Sequence, residues 1–453
     1  MYIEQIYVKK IAHSSYMIAG NEKCAIVDPR RDVDIYIEKA KDMGFKITHI
    51  LETHLHADFI SGHMDLAEKT GAKIYAPKSG NCKFGHVSLK ENDTFNIENI
   101  KFEVIETPGH TPEHINYIVT DTSLSDKPSV VFTGDTLFVG DAGRPDLFPD
   151  RAEELASKLF ESLKKLKKLP DYCEVLPAHG AGSLCGRAMG AKRRSTIGFE
   201  KLTNEPFKMK DKDEFIKSLT TDMPPAPDHF SRCSALNAEG PELVKNLSVL
   251  EPLTPEKFKK ALEKDDHIVL DVRSYDSFGA QPIENSYNID FGGNMPTFAG
   301  WIIPPEKNIL IVADDEDKAR ETVIWLRRVG LDNSIGYLGG ELPEWAKAGY
   351  RANHHNIISS PEFVEKYDSD KNLNLLDVRA SGEYEENHIE GSINIPAPEL
   401  RTRYEELDKN KHYYIICSTG HRSGTACSIL HQKGFKNITN IGGGMTGYGN
   451  LKK

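Results

Sequence analysis

The stretch Thr53-His54-Leu55-His56-Ala57-Asp58-Phe59 carries the clearest chemical pattern in this chain. It follows an apolar run that predicts a strand. Residues two apart on an extended segment point to the same side, so we expect the side chains of His54 and His56 to lie on one side of the strand end. Asp58 adds a carboxylate, whereas Phe59 cannot ligate a metal. The stretch therefore predicts a metal site at the end of a strand.

Three more potential ligands lie in corners that follow apolar strands. His110 lies in a Thr-Pro-Gly-His-Thr corner, Asp135 ends a Phe-Thr-Gly-Asp run, and His179 lies in Pro-Ala-His-Gly. Because α/β folds place their sites at strand ends, we interpret these residues as one constellation with the His-x-His pair. For Asp58 a second interpretation stays open, namely the N-cap of a helix predicted over residues 58–70.

Composition limits the class of protein. A length of 453 residues predicts about three domains. The net charge of −11 argues against nucleic acid as a partner, and no apolar run is long enough to span a membrane. The seven cysteines are scattered and odd in number, without any Cys-x-x-Cys, which is typical of a reducing compartment. We therefore expect a cytoplasmic protein with no membrane or nucleic-acid partner.

Hydrophobic pattern, proline content and an internal repeat divide the chain into four segments. Residues 1–205 alternate apolar strands with helical patterns, which predicts an α/β domain. Residues 206–251 are proline-rich in part and are interpreted as an extended connector. An internal repeat follows, in which Leu270-Asp271-Val272-Arg273 recurs as Leu376-Asp377-Val378-Arg379. The repeat predicts two α/β domains of about 100 residues each, at 252–352 and 356–453.

A cysteine loop in the second copy of the repeat points to sulfur chemistry. Cys417-Ser418-Thr419-Gly420-His421-Arg422-Ser423 lies between an apolar strand and a helical pattern. A cysteine at a helix N-terminus faces converging N–H groups and the positive end of the helix dipole, and both stabilise an anion on sulfur. Arg422 adds a fixed positive charge. We predict that Cys417 is a nucleophile, with a buried structural cysteine as the alternative.

The first copy of the repeat lacks this chemistry. Aligning the glycines that end the two helical patterns places Ala313 opposite Cys417 and Lys318 opposite Arg422. The intervening loop carries four carboxylates, Asp314 to Asp317, which would repel a sulfur anion. We interpret this copy as an inactive domain that spaces or docks the others. A regulatory role is the alternative, for which the sequence gives no support.

The N-terminal motifs resemble the metallo-β-lactamase superfamily over residues 1 to about 200. Within it they are most similar to persulfide dioxygenases, including the fused dioxygenase–sulfurtransferases of the CstB type. The resemblance implies an αββα sandwich in which His54, His110 and Asp135 hold one Fe(II) per chain. It further implies that three neighbours orient the ligands or hold water. These three are His56, Asp58 and His179.

One departure from the family pattern, at Phe59, bears on the number of metals. In two-metal hydrolases of this fold a histidine follows the aspartate of the motif, and Phe59 here argues for a single metal. The runner-up hypothesis is a zinc thioester hydrolase of the glyoxalase II type, which needs two metals. By resemblance Arg144 and Asp146 bind the polar part of a thiol substrate. Their alternative is a structural ion pair in a turn, and Cys185 is expected to be a core thiol.

The two copies of the repeat resemble rhodanese domains, the second over its full length. The combination implies a persulfide dioxygenase coupled to a sulfurtransferase, in sulfide detoxification. Its expected partners are a low-molecular-weight thiol persulfide, O₂, and sulfite or thiosulfate, and we expect a homo-oligomer. The identity of the thiol carrier and the direction of sulfur transfer stay open.

Overall fold

The structure is a computed structural model that describes residues 1–221 and 223–452. Asp222, which falls in the predicted connector, and Lys453, at the end of the second predicted rhodanese domain, lie outside the described residues. The side chain of Pro149 lies outside them as well. The chain divides into two units. One comprises Met1–Leu247 with Arg327–Gly330, and the other Ser248–Leu326 with Leu331–Lys453.

The N-terminal unit contains two six-stranded sheets. The first sheet is mixed and runs in chain order. Its strands are β1 (Tyr2–Val8), β2 (His13–Ala19), β3 (Lys23–Val27), β4 (Lys46–Leu51), β5 (Lys73–Pro77) and β6 (Val87–Leu89). The second sheet has the order β12-β11-β10-β9-β8-β7. Its strands are β7 (Thr94–Ile97), β8 (Ile100–Glu106), β9 (Ile115–Asp121), β10 (Val130–Gly134), β11 (Glu174–Pro177) and β12 (Ser195–Thr196).

Helices cover the outer faces of these sheets. A central apolar core joins buried residues of both sheets, such as Tyr16 and Phe102. Two further cores lie outside it, one including Leu66 of the second helix and the other Leu159 of the third. The helices are α1 (Asp34–Asp42), α2 (His63–Thr70), α3 (Ala152–Leu166), α4 (Ile197–Thr203), α5 (Glu205–Lys208), α6 (Lys212–Thr220) and α7 (His229–Glu239). This αββα arrangement confirms the predicted fold of the N-terminal part.

The predicted connector at 206–251 is largely helical and not extended. Helix α6 begins at a true cap, because the Asp211 carboxylate accepts a hydrogen bond from the Glu214 N–H at 2.8 Å. Phe215 and Leu219 of this helix are buried in the core beneath α3. The proline-rich run directed the prediction toward an extended chain, whereas the flanking segments form helices because they bury apolar side chains.

The C-terminal unit repeats one parallel sheet twice. The first sheet has the order β13-β17-β16-β14-β15 and the second the order β18-β22-β21-β19-β20, so the two topologies are equivalent. The strands are β13 (Glu251–Leu253), β14 (His267–Asp271), β15 (Ser286–Asn288), β16 (Asn308–Val312), β17 (Ser334–Leu338), β18 (Asn356–Ser359), β19 (Asn374–Asp377), β20 (Ile393–Asn394), β21 (Tyr413–Ile416) and β22 (Ile438–Gly442). The predicted internal repeat is thus a repeat of structure.

Helices connect the strands of both copies. They are α8 (Pro255–Leu262), α9 (Tyr275–Ala280), α10 (Met295–Ile302), α11 (Glu316–Arg328), α12 (Glu341–Lys347), α13 (Ser360–Ser369), α14 (Ser381–Glu386), α15 (Leu400–Arg403), α16 (His421–Gln432) and α17 (Gly444–Leu451). Among the described residues, none of the helices combines the length and apolar composition that a bilayer crossing requires.

Candidate metal site and sulfur-transfer loop

Three predicted ligands meet at the strand ends of the N-terminal unit. One ligand atom from each of His54, His110 and Asp135 lies within 4.8 Å of the other two, and all three residues are buried. The Asp135 Oδ2 atom lies 3.4 Å from His110 Nε2 and 3.8 Å from His54 Nε2. Both Nε2 atoms are buried without a hydrogen-bond partner. Buried polar atoms rarely stay unpaired, so this cluster fits a metal ion.

The other ring nitrogen of each histidine is held in place, which fixes the tautomer. The His110 Nδ1–H donates to the Arg144 carbonyl oxygen at 2.8 Å. The Thr53 hydroxyl donates to Asp28 Oδ2 at 2.9 Å and accepts from His54 Nδ1–H at 2.9 Å. Both Nε2 lone pairs are therefore free for a metal. Burial, followed by the neighbouring histidines, lowers the pKa of His54, which favours the neutral ligand form.

His56 turns away from these ligands. Its Nε2 atom lies 3.1 Å from Asp28 Oδ1, and it clusters with Asp28 and Glu52. Asp28 follows β3 in a left-handed conformation, with φ +49°, and also accepts from the Thr53 N–H at 2.8 Å. Burial, with the Asp28 carboxylate close by, raises the pKa of Glu52 well above its ordinary value. His56 therefore supports the loop and leaves three ligands at the site.

His179 lies between two carboxylates. Its Nδ1 atom is 2.8 and 2.9 Å from the two Asp135 oxygens, and its Nε2 atom is 2.9 Å from Asp58 Oδ2. Burial alone would lower the pKa of His179, but Asp135 and Asp58 hold it well above its ordinary value. These contacts of His179 orient the Asp135 carboxylate. Asp58 is engaged here and caps no helix, because α2 begins only at His63.

The side chain after Asp58 cannot ligate a metal, and it packs against the rings of three histidines. Phe59 is fully buried, with its ring centroid 4.1 Å from that of His13 and 4.4 Å from that of His56. Cys185 lies close to Asp58 and His179, and burial raises its pKa well above the ordinary value. A neutral thiol beside an aromatic ring agrees with the core role expected for Cys185.

Two residues that the sequence analysis did not identify support the metal site. One holds residues 53–61, called here the metal loop, and the other contacts His54 and Asp135. Asn237 of α7 donates from Nδ2 to the carbonyls of His56 and Phe59, both at 2.8 Å, and its Oδ1 accepts from the Ser61 N–H at 2.9 Å. His114 accepts from the Asp135 N–H at 2.9 Å and stacks on His54. Asn237 is distant in sequence, and no local pattern could reveal it.

The substrate contacts predicted at Arg144 and Asp146 stay a prediction, and the structure shows these two side chains paired with each other. The Arg144 guanidinium is buried and pairs with both oxygens of Asp146 at 2.7 Å. Its remaining donors reach the carbonyls of Leu184 and Pro224. These contacts match the alternative of a structural ion pair within the turn, and the substrate role of Arg144 stays a prediction.

A cavity of about 500 Å³ opens beside the metal loop instead. Leu55 and Ala57, which alternate with the residues of the His-x-His-x-Asp pattern, form part of its wall. Arg151 and Phe230 line it as well. A volume of this size suits a small molecule. The arginine that lines this cavity is Arg151, which pairs with Glu154 and lies seven residues after Arg144.

The cysteine loop of the C-terminal unit has the predicted geometry. Cys417 directly follows β21 and is buried, and α16 begins at His421. The Gly420 N–H donates to Cys417 Sγ at 3.1 Å, and the Ser423 hydroxyl does so at 3.4 Å. Gly420 has φ +108°, a conformation that suits glycine and turns the N–H toward the sulfur. The loop can therefore stabilise a sulfur anion.

Arg422 is anchored at the edge of this loop. It pairs with both oxygens of Glu383 at 2.5 and 2.8 Å and donates to the Ser418 hydroxyl at 2.7 Å. The hydrogen bond from Arg422 lowers the pKa of Glu383 to about 2. In the first copy Ala313 follows the equivalent strand β16, and Lys318 pairs with Asp314 at 2.6 Å. That copy carries no thiol at the position of Cys417.

The fold and these sites define the class of protein. The family described as metallo-beta-lactamase superfamily matches residues 9–179, and the family described as rhodanese-like domain matches residues 254–348 and 360–451. The chain belongs to the metallo-beta-lactamase superfamily in its N-terminal part and carries two rhodanese-like domains.

Particular relatives match each part. A solved structure titled metallo-beta-lactamase from Staphylococcus aureus subsp. aureus COL is 34% identical, with a TM-score of 0.67, and the match covers 75% of this chain and 98% of that one. The "Putative sulfur carrier protein YrkF" of Bacillus subtilis (strain 168) is 37% identical over 30% of this chain and 76% of its own length. A hydroxyacylglutathione hydrolase of Pseudomonas entomophila (strain L48) is 33% identical over 35% of this chain. The match spans 58% of that hydrolase.

Proposed function

We propose that this chain is a non-haem Fe(II) persulfide dioxygenase joined to a sulfurtransferase. One observation carries the proposal. The N-terminal unit offers a single two-histidine, one-carboxylate cluster in the same chain as a cysteine loop built for sulfur anions. Such a ligand set leaves coordination positions open and is typical of Fe(II) oxygenases. The shared compound of the two chemistries is a persulfide, R–S–SH.

The overall reaction of the first site would be R–S–SH + O₂ + H₂O → R–SH + SO₃²⁻ + 2 H⁺. An Fe(II) held by His54, His110 and Asp135 would supply the one-electron chemistry that lets O₂ react with sulfur. The chain's own residues orient these ligands. Thr53 and the Arg144 carbonyl fix the two imidazoles, and His179 holds the carboxylate. Each acts by limiting ligand rotation.

The substrate would enter through the 500 Å³ cavity. Arg151, whose side chain is 41% exposed and pairs with Glu154, lines that cavity, and an anionic group of a thiol carrier would compete with Glu154 for it. The apolar walls at Leu55, Ala57 and Phe230 limit the access of water to the persulfide. This arrangement favours a carrier with a negatively charged part distant from its sulfur.

At the second site Cys417 would carry sulfane sulfur. Attack by the Cys417 thiolate on the outer sulfur of a donor forms a Cys417 persulfide and releases the donor as its anion. With thiosulfate the leaving group is sulfite, and with R–S–S⁻ it is the thiolate R–S⁻. The N–H of Gly420 and the helix end stabilise each anion in turn. The two sites thus exchange sulfite, thiosulfate and persulfide.

A second candidate is a zinc thioester hydrolase of the hydroxyacylglutathione type. The 33% identity to such a hydrolase favours it. It needs a hydroxide between two metals. The apolar Phe59 and the diversion of His56 to Asp28 argue against the second metal. Metal stoichiometry separates the candidates, since the dioxygenase requires one ion per chain and the hydrolase two.

The experiment that tests the proposal measures oxygen consumption and sulfite formation by the Fe(II)-loaded full chain on addition of glutathione persulfide or coenzyme A persulfide. We expect both signals, and we expect His54→Ala to abolish them. His86→Ala is the matched control, because His86 belongs to the same unit and to none of the clusters described above. Iron-loaded protein that consumes no oxygen with either persulfide would refute the dioxygenase.

A further inference from the structure

The two rhodanese copies share a cavity of about 360 Å³. Its wall combines residues of the inactive first copy with residues of the active loop and helix in the second. The first copy contributes the segment from Ile289 to Met295, and Phe298 of α10. The second copy contributes His421, Arg422 and Thr425.

The first copy also contacts the active loop directly. The Tyr275 ring lies so close to Gly420 that a Cβ on this glycine would come within 2.8 Å of the ring. The Asn288 N–H donates to the Ser428 hydroxyl of α16 at 3.0 Å. These contacts fix the inactive copy against the helix whose N-terminus carries the catalytic cysteine.

One cross-copy hydrogen bond reaches the loop itself. His421, the fourth residue after Cys417, places Nδ1 at 3.0 Å from Asp290 Oδ2. Asp290 is itself held, because its Oδ1 accepts from the Gly292 N–H at 2.9 Å. The hydrogen bond to Asp290 raises the pKa of His421. The other carboxylate that acts on His421 is Asp276, whereas Lys318 acts on Asp290.

We infer that this cavity binds the low-molecular-weight thiol that exchanges sulfur with Cys417, and that Asp290 of the inactive copy positions His421 at its wall. The inference rests on the sulfurtransferase role proposed above. It assigns the first copy a part in substrate binding, beyond the spacing or docking role that its missing nucleophile suggests.

The chemistry of the wall matches such a thiol. Ile289, Met295 and Phe298 offer an apolar surface, and His421 and Arg422, each already paired with a carboxylate, offer nitrogen donors beside it. A thiolate R–S⁻ attacks the outer sulfur of the Cys417 persulfide. The new S–S bond forms as the bond to Cys417 Sγ breaks, and the electron pair stays on Sγ as thiolate. Both reactants are anions, so protonation of His421 at the cavity wall would lower their repulsion.

The test uses the full chain with thiosulfate as donor and three acceptors, namely cyanide, glutathione and coenzyme A. Asn294 is an exposed residue of the cavity wall, and Asn294→Trp should raise the KM for the thiols about tenfold relative to that for cyanide. Asp290→Asn should raise the thiol KM about tenfold and move the alkaline limit of thiol transfer to lower pH. Asp276→Asn removes a carboxylate that acts on His421 without a hydrogen bond, so it should move the alkaline limit less than Asp290→Asn does and leave the thiol KM unchanged.

The outcomes separate the two proposals. Wild-type protein that transfers no sulfur even to cyanide would contradict the sulfurtransferase role. Wild-type protein that serves cyanide but neither thiol would overturn the cavity assignment alone. The cavity assignment is also overturned if Asn294→Trp affects all acceptors equally. The positioning role of Asp290 is overturned if Asp290→Asn and Asp276→Asn have identical pH profiles.

Discussion

Replacement of Asn237 by alanine should loosen the metal loop from outside the ligand set. The change removes three buried hydrogen bonds and leaves two carbonyls and one N–H without partners. At about 1 kcal/mol for each bond, with a further penalty for unpaired buried groups, the loss is about 4 kcal/mol. Since 1.4 kcal/mol corresponds to a factor of ten, the loop's opening equilibrium should rise about a thousandfold.

Hydrogen exchange measured by mass spectrometry on residues 53–61 reports this opening directly. Metal titration provides a second measurement, in which we expect affinity to fall about tenfold because the ligands lose support. The matched control is Asn246→Ala, since Asn246 is exposed and its side chain bonds only to Glu242 among the described contacts. The three tryptophans all lie in the C-terminal unit, so their fluorescence should show an unchanged unfolding transition there.

If Asn237→Ala exchanges at residues 53–61 no faster than Asn246→Ala, the hydrogen bonds of Asn237 do not hold the loop. If exchange rises but metal affinity is unchanged, the loop opens without moving His54, and the link between α7 and the metal site is wrong.

Three further outcomes follow from the two sites. Cys417→Ser should abolish sulfur transfer and leave oxygen uptake intact, with the buried Cys427→Ser as control, and loss of oxygen uptake would show that the sites depend on each other. Phe59→His should raise the metal content from one to two ions per chain by elemental analysis, and a value of one would show that Phe59 does not decide stoichiometry. Glu383→Gln should cost about 1 kcal/mol at neutral pH. Because the folded pKa of Glu383 is lowered to about 2, this contribution is present above about pH 4.5 and is lost as pH falls toward 2, so wild type and variant should converge in acid unfolding.

The positions of the ligands were predictable because strand ends are visible in sequence. His110, Asp135 and His179 each follow an apolar strand, and the structure brings all three to one edge. Helix α2 was predicted too early, at Asp58, because a cap and a carboxylate held by a distant histidine look alike in sequence. The distinction depends on His179, which is brought near only by the folded sheets.

Other features depend on contacts that no local pattern records. Asn237 lies about 180 residues from the carbonyls it holds, and the helix that carries it falls in the segment predicted to be extended. Arg144 and Arg151 differ in role because one is buried against Asp146 and the other is exposed at a cavity. Charge and spacing predict that a cation lies near the site, but they do not show that Arg144 is buried while Arg151, paired with Glu154, lines a cavity.

Both copies of the repeat contain the same ion pair, although only the second copy carries the thiol. Arg273 pairs with Asp271 and Arg379 with Asp377, each at the end of the equivalent strand, and each arginine also binds a carbonyl eight residues on. The first copy has lost its thiol and kept this clamp. The two copies thus show, within one chain, that this strand-end pair belongs to the scaffold and does not depend on the sulfur chemistry of the loop beside it. A cysteine loop engineered onto the first copy would begin from a scaffold that already has this pair in place.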